Sequence, residues 1–226
     1  MFDKLSSFVS KLHFKAGPKA SGGSKAGSSR FVVINIHIDY ERNALVDCTD
    51  SHRVYCDKHG YEYHQVHQSL LAGALPTWSK HVAALSLIDS CDGVMIIDSD
   101  AEIMGCCPPF HELLESNRDF DLFLAFGHSF RPNAGMILLR GCTQTSRSFL
   151  ETLLAERENP VPVQDQARPG GDNGHVIHLL RRPEYKSKLF LLGAVWNNTT
   201  KPTDWDFIRH YTGPMGEVAR ENAVTA

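Results

Sequence analysis

The chain contains no run that approaches the eighteen or so consecutive apolar residues a membrane-spanning helix requires. Its N-terminus also lacks the apolar core of a secretory signal. These two absences point to a soluble, cytoplasmic protein, in which the overlapping N-x-T sequons at Asn197 and Asn198 would meet no glycosylating lumen. No C-x-x-C pair occurs among the six cysteines (Cys48, Cys56, Cys91, Cys106, Cys107 and Cys142), and four of them sit in or beside apolar segments. Reduced, mostly packed thiols are therefore expected in place of a disulfide framework or a zinc site. Beyond the N-terminus there is no extended basic face, and the net charge is -3, so nucleic acid is not the expected partner. Internal repeats are absent as well.

What is present is enough for one substantial core: 226 residues with an ordinary apolar fraction make a single catalytic-sized domain with an appendage. The appendage is at the start. "MFDKLSSFVSKLHFK" spaces Phe2, Leu5, Phe8, Val9 and Leu12 as on one helical face, with Lys4, Lys11 and Lys15 at its edges. "AGPKASGGSKAGSSR" follows and has too few apolar side chains to fold. Residues 1–29 thus read as a short amphipathic helix on a flexible tether. Its first fifteen residues could rest on an anionic membrane surface, serve as a targeting segment, or pack on the domain.

Residues 30–226 alternate short β-rich runs with longer amphipathic ones, the pattern of an α/β sheet flanked by helices. "RFVVINIHI" predicts a first strand. "DSHRVYCDKHG" predicts a helix closed by Gly60 in a left-handed cap, and "YEYHQV" a second strand. Pro76 opens a helix in which Trp78, Val82, Leu85 and Ile88 recur at intervals of three and four. "DLFLAF" and "GMILLR" predict strands joined by a loop carrying "GHSFRPNA". "CTQTSRSFLETLLAERE" and "GDNGHVIHLLRR" predict helices, and "KLFLLG" a last strand before the closing "DWDFIRHYTGP".

The segment "DGVMIIDSDAEIM", Asp92 to Met104, carries the chemistry. Five apolar residues in succession suit a central strand buried on both faces, and the ligand crevice of an open α/β sheet lies beyond the carboxyl ends of such strands. Asp98 and Asp100 fall there, two apart, so in extended chain both side chains point to one ligand. Carboxylates held close repel and call for a cation, and Mg²⁺ or Mn²⁺ shared with substrate phosphates meets that demand. A D-x-D sequence also arises by chance, or where Asp caps a helix. It serves phosphohydrolases of the haloacid-dehalogenase type too, but there it usually follows the first strand and continues with Gly and Thr or Val, not "AE" in mid-chain.

Five segments in order, "SHRVYCDKHGYEY", "PTWSKHVAAL", "VMIIDSDAEI", "NAGMILLR" and "RHYTG", resemble those of GT-A fold glycosyltransferases. The nearest likeness is to the galactosyl/xylosyltransferase family, and it runs from Arg30 to the C-terminus. The resemblance implies a Rossmann-like, mixed but mostly parallel sheet in one domain. It also implies an enzyme of glycan biosynthesis that moves a sugar from a nucleotide-diphosphate sugar, a UDP-sugar before others, to a carbohydrate or other hydroxyl acceptor with retention. A phosphohydrolase and a non-catalytic nucleotide-sugar-binding relative are the alternatives.

Carried onto this chain, the resemblance implies Asp98, Asp100 and His210 as ligands of Mn²⁺ or Mg²⁺, with Ser99 between the aspartates at the donor. The end of the first strand, His37, Asp39 and Tyr40, would border the nucleoside. Lys80 opens a helix whose amides favour phosphate, and Arg53 would reach the donor. Asn133 lies in the segment that runs along the sugar or acceptor in the family. Asp172 and Asn173 stand where relatives carry an acidic residue followed by Gln, although Asp165-Gln166 competes for that place.

Overall fold

The computed structural model describes residues 29–38 and 46–225, with side chains through Arg220. The expected leader helix, nearly all of its tether, and Asp39 and Tyr40 lie outside the described residues.

Strand β1 (Phe31–Ile36) is buried through all but its first residue. Its side chains alternate between two cores: Val32 and Ile34 face one side of the sheet, and Val33 the other. β2 (Glu62–Val66) and β3 (Gly93–Ile97) pair with it in parallel, on opposite edges. Arg30 ties the start of β1 to β2 with a two-pronged contact, its Nε and Nη2 each donating to a Glu62 carboxylate oxygen at 2.8 Å. Between β1 and β2 runs helix α1 (Thr49–His59), which ends at Gly60 with φ of 70°, a left-handed cap that glycine adopts without a Cβ penalty.

β3 is buried at every residue, as its unbroken apolar run requires. A 3₁₀ turn over Pro76–Trp78 and helix α2 (Ser79–Leu87) precede it. After it come β4 (Ala101–Ile103), α3 (Phe110–Ser116), β5 (Leu122–Phe126) and β6 (Pro132–Arg140). Helices α4 (Gln144–Ala155), α5 (Asn173–Leu179) and α6 (Pro183–Lys186) lead to β7 (Leu189–Leu192), and β8 (Ile208–His210) and α7 (Gly213–Thr225) complete the described chain. The main sheet has the order β2-β1-β3-β6-β5-β7, and β6 alone runs against the other five. It is a single α/β domain with a mixed, mostly parallel sheet, as the sequence predicts.

Three local expectations are corrected. "RPNA" is not all loop: Pro132, Asn133 and Ala134 already belong to β6, which places them beside the end of β3. "KLFLLG" is not the last strand, because β8 follows and pairs antiparallel with β4 in a separate two-stranded sheet. Three-residue strands are too short for any periodicity to reveal. The D-x-D motif is not extended chain; Asp98 to Asp100 form a turn, closed by the Ala101 amide donating to the Asp98 carbonyl at 3.1 Å, because the chain leaves the main sheet there to enter the small one.

The cysteines are free, four buried and two exposed, in line with packed thiols. Among the described residues, no helix is long and apolar enough to cross a membrane.

Candidate active site

The site lies where the turn after β3, the first turn of α2, the start of β6, the N-terminus of α5 and strand β8 meet. Pairing of β4 with β8 sets Ala101 opposite His210 and draws that histidine to the D-x-D turn. The Tyr211 amide fixes the register by donating to the Asp100 carbonyl at 2.8 Å.

His210 is almost fully buried, and its Nε2 lies 3.3 Å from Asp100 Oδ1 and 3.9 Å from Asp98 Oδ2. Its other nitrogen, Nδ1, is 3.0 Å from Asn197 Oδ1. The tautomer follows from a chain of bonds that begins at a backbone amide. Gly135 N–H donates to Asn133 Oδ1 at 2.9 Å, which makes that atom the oxygen. Asn197 Nδ2 donates to the same oxygen at 2.9 Å, so the Asn197 oxygen is turned to His210 and must accept its Nδ1–H. Nε2 is then left facing two carboxylates, where it needs either a proton or a cation. Burial works against an imidazolium there, but Asp100 and then Asp98 outweigh it and raise the group above the usual histidine range. A Cβ on residue 135 would overlap the His210 ring, so glycine at this position is what lets the imidazole sit against β6.

The one ligand atom offered by each of Asp98, Asp100 and His210 lies within 4.8 Å of the other two. Two hard oxygens and an imidazole nitrogen, with the second imidazole nitrogen anchored by an amide, are a donor set that fits Mg²⁺ or Mn²⁺.

Lys80 is the other organising residue. Its ammonium is fully buried and touches Asp98 Oδ1 at 2.6 Å, the Ala134 carbonyl at 2.9 Å and Asp172 Oδ2 at 3.1 Å. Burial opposes its charge, yet Asp172 and Asp98 hold it above the ordinary lysine range. Asp172 also accepts from His81 Nε2 at 2.7 Å. Burial again opposes ionisation, and Lys80 and His81 overcome it, so the Asp172 carboxyl lies well below the usual carboxylate range. His81 is lowered by its own burial, so a neutral ring donates to Asp172. Asp98 is raised, chiefly by burial, against the pull of Lys80 and His210, whereas Asp100 is lowered because His210 outweighs its burial. Asp98 and Asp172 share the buried Lys80 ammonium while Asp100 faces His210, so with all three carboxylates ionised and His210 neutral the cluster carries an excess of two negative charges. A divalent cation would balance it.

The remaining candidates occupy stated places around this centre. Asn133 holds Asn197 and turns the Gly135 amide, while Asn173 Oδ1 accepts the Ala134 N–H at 2.9 Å and so pins α5 to β6. Asp172 sits at the N-cap position of α5 with no side-chain cap bond, its carboxylate being turned to Lys80 and His81. Asp165 is engaged elsewhere, 2.7 Å from Arg181 Nε and 3.1 Å from His178 Nδ1. The Ser99 carbonyl accepts the Cys48 N–H at 2.8 Å. His37 stands at the end of β1 with its Nδ1 4.0 Å from Asp47 Oδ2. Arg53 lies at the outer edge, bonded to Asp50 and, through Nη2, to Gln65 at 2.8 Å. Trp78 is core, and its indole N–H donates to the Gly170 carbonyl at 2.8 Å, tying α2 to the segment that delivers Asp172.

Sequence reasoning missed His81, Gly135 and Asn197. The sequon pattern hid Asn197 and Asn198: both are buried, and Asn198 Nδ2 donates to Asp206 Oδ1 at 2.8 Å. "HxxG" marks His210, but nothing local marks the amide thirteen residues earlier that orients it.

No family model and no curated protein matches the chain. Solved structures do. A glycosyltransferase involved in glycosylation of the major capsid of PBCV-1 superposes with a TM-score of 0.65 at 12% identity, covering 87% of this chain and all of that one. The glycosyltransferase GlyE of Streptococcus pneumoniae gives 0.54 at 16% identity, over 87% of this chain but 61% of GlyE. The galactosyltransferase LgtC, in complex with donor and acceptor sugar analogs, gives 0.52 at 14% identity over 86% of this chain and 95% of LgtC. At these identities the likeness establishes the fold: this chain has the GT-A fold found in glycosyltransferases.

Proposed function

We propose that the chain is a metal-dependent glycosyltransferase, moving a sugar from a nucleotide-diphosphate sugar, a UDP-sugar before others, to a carbohydrate or other hydroxyl acceptor with retention of anomeric configuration. The observation that carries this reading is the convergence of Asp98, Asp100 and the Nε2 of His210 at the carboxyl end of β3, in a chain with the GT-A fold.

Asp98, Asp100 and His210 would hold Mn²⁺ or Mg²⁺. Such an ion, when bound, neutralises the donor diphosphate and the charge that grows on the leaving oxygen as the glycosidic bond breaks. Lys80 keeps Asp98 in place and holds Asp172 anionic. Asn133, at the start of β6, would lie along the sugar or acceptor, and the first turn of α2 brings the Lys80 ammonium to the neighbouring Ala134 carbonyl. His37 and Arg53 stand at the nucleoside end of the sheet.

Retention is supported by the state of Asp172. An inverting transfer needs a carboxylate that takes the acceptor proton, but Asp172 is bonded to both Lys80 and His81 and held well below the usual range, which makes it a poor base. Its negative charge suits a role opposite an oxocarbenium-like sugar.

The test is thermal stability of the chain with nucleoside diphosphates and their sugars, with and without Mn²⁺. A ligand at a hundred times its Kd adds about 2.7 kcal/mol to the native state. Stabilisation by UDP that requires Mn²⁺ and is lost in Asp100→Asn is expected; stabilisation indifferent to metal and to that substitution would reject the reading.

A further inference from the structure

An open groove of about 590 Å³ lies beside the site, within the roughly 300–1,000 Å³ range of small-molecule pockets. Two of its walls are continuations of elements that build the site. β6 supplies Pro132 next to Asn133, and α5 supplies Ile177, four residues past Asn173 and so about 6 Å along the helix. The third wall is the open edge of the main sheet, at β7, where Leu191 is 48% exposed.

The tip of the β5–β6 hairpin overhangs the groove. Phe130 is 86% exposed there, with φ of 56°, a left-handed conformation rare for a bulky residue. The hairpin is anchored to the site: the His128 amide donates to Thr199 Oγ1 at 2.7 Å, two residues beyond the asparagine that orients His210. Groove and site are therefore held in fixed relation.

The lining is chemically one-sided. Its floor is aliphatic and aromatic, no acidic side chain among the described residues contributes, and Arg131, Arg181 and Lys186 border it. Asp165 balances Arg181, but among the described residues Arg131 bonds to the carbonyls of Gln164 and Gln166 and to no carboxylate, and Lys186 is exposed, so two positive charges face the groove uncompensated by a described lining carboxylate. A plain glycan offers neither the apolar surface nor the anion that this lining complements.

We infer that the groove is an acceptor subsite for an amphiphile, an apolar chain bearing an anionic group, that carries the accepting hydroxyl into the site past Asn133. The inference rests on the transferase reading for the word acceptor, but binding in the groove is independent of it. Adding methylenes to the chain should tighten binding roughly two- to fourfold each until the groove is filled.

The test uses the full chain and decyl phosphate below its micelle concentration, titrated calorimetrically against butyl phosphate, decyltrimethylammonium and inorganic phosphate. One decyl phosphate per chain is expected, at least tenfold tighter than butyl phosphate and decyltrimethylammonium, with no binding of inorganic phosphate. The doubly substituted Phe130→Ser, Leu191→Gln chain, its unliganded unfolding midpoint checked, should bind at least tenfold more weakly, and Lys186→Gln severalfold more weakly. Decyl glycosides should then outperform methyl glycosides in donor consumption.

Equal binding by the double variant, or equal binding of the cationic probe, would overturn the inference. So would binding to phosphatidylglycerol vesicles without binding of decyl phosphate, which would make the face a membrane dock, or a dimer broken by Phe130→Ser, which would make it a contact between copies. Failure of decyl phosphate while Mn²⁺ and UDP still stabilise the chain strikes the groove alone. Failure of Mn²⁺ and UDP while decyl phosphate binds strikes the transferase reading alone.

Discussion

Asn197 Oδ1 accepts the Nδ1–H of His210 at 3.0 Å, and that single bond decides which nitrogen the imidazole presents to Asp98 and Asp100. Partners of this kind typically contribute 10- to 100-fold to metal affinity. Replacing Asn197 by Ala is accordingly expected to weaken Mn²⁺ binding by roughly tenfold or more. Isothermal titration with Mn²⁺ in the presence of UDP measures it, and unchanged affinity would show that the orientation of His210 is set by something other than Asn197.

Gly135 is the space that His210 occupies. Gly135→Ala puts a methyl group into the ring, so either the strand or the histidine must move. Overpacking of this sort costs about 1–3 kcal/mol. The expected result is a loss of that order in urea unfolding together with at least tenfold weaker Mn²⁺ binding. Loss of stability with metal binding intact would place the relaxation in β6 and not in the ligand.

Lys80→Met leaves Asp98 and Asp172 without their shared cation in a buried setting. Stranding buried carboxylates in this way is expected to lower stability by about 3 kcal/mol or more at neutral pH. Combining it with Asp172→Asn should recover part of the loss, since one of the stranded charges is then gone. Additive losses in the double variant would mean that the two side chains do not act on each other.

Acid sensitivity is expected from His52. The ring is buried, its Nε2–H donates to the Ala101 carbonyl at 2.6 Å, and burial lowers the group from 6.5 to about 4. The unfolded chain takes up a proton below about pH 6.5 and the native one only below about 4, so the stabilising contribution is complete above 6.5 and is lost as pH falls toward 4. The span corresponds to about 3 kcal/mol. His52→Gln should flatten the decline between those limits in unfolding midpoints measured against pH, and an unaltered slope would assign the decline to other groups.

Much of this fold is legible in the sequence because its signals are local. The β3 run and the spacing of Val82 and Leu85 each fall within one element, and the Gly60 cap directly follows one. The two aspartates are legible for the same reason: an apolar strand that ends in paired charge has to meet a ligand or a cation. What stays hidden depends on contacts between distant positions. The sequence places Lys80 at the opening of a helix whose amides favour phosphate, but its partners Asp98 and Asp172 lie eighteen and more than ninety residues away, and they turn it into a buried ion. β4 and β8 are strands only because they find each other across about a hundred residues. Asn197, read alone, is a sequon; only the fold makes it the residue that orients the metal-facing histidine.

Electron paramagnetic resonance of Mn²⁺ titrated into the chain with UDP present tests the central claim most directly, since free and bound Mn²⁺ differ in signal amplitude. One bound Mn²⁺ per chain is predicted for the wild type, with affinity reduced at least tenfold in both Asp100→Asn and His210→Ala. Wild-type binding in both variants would contradict it.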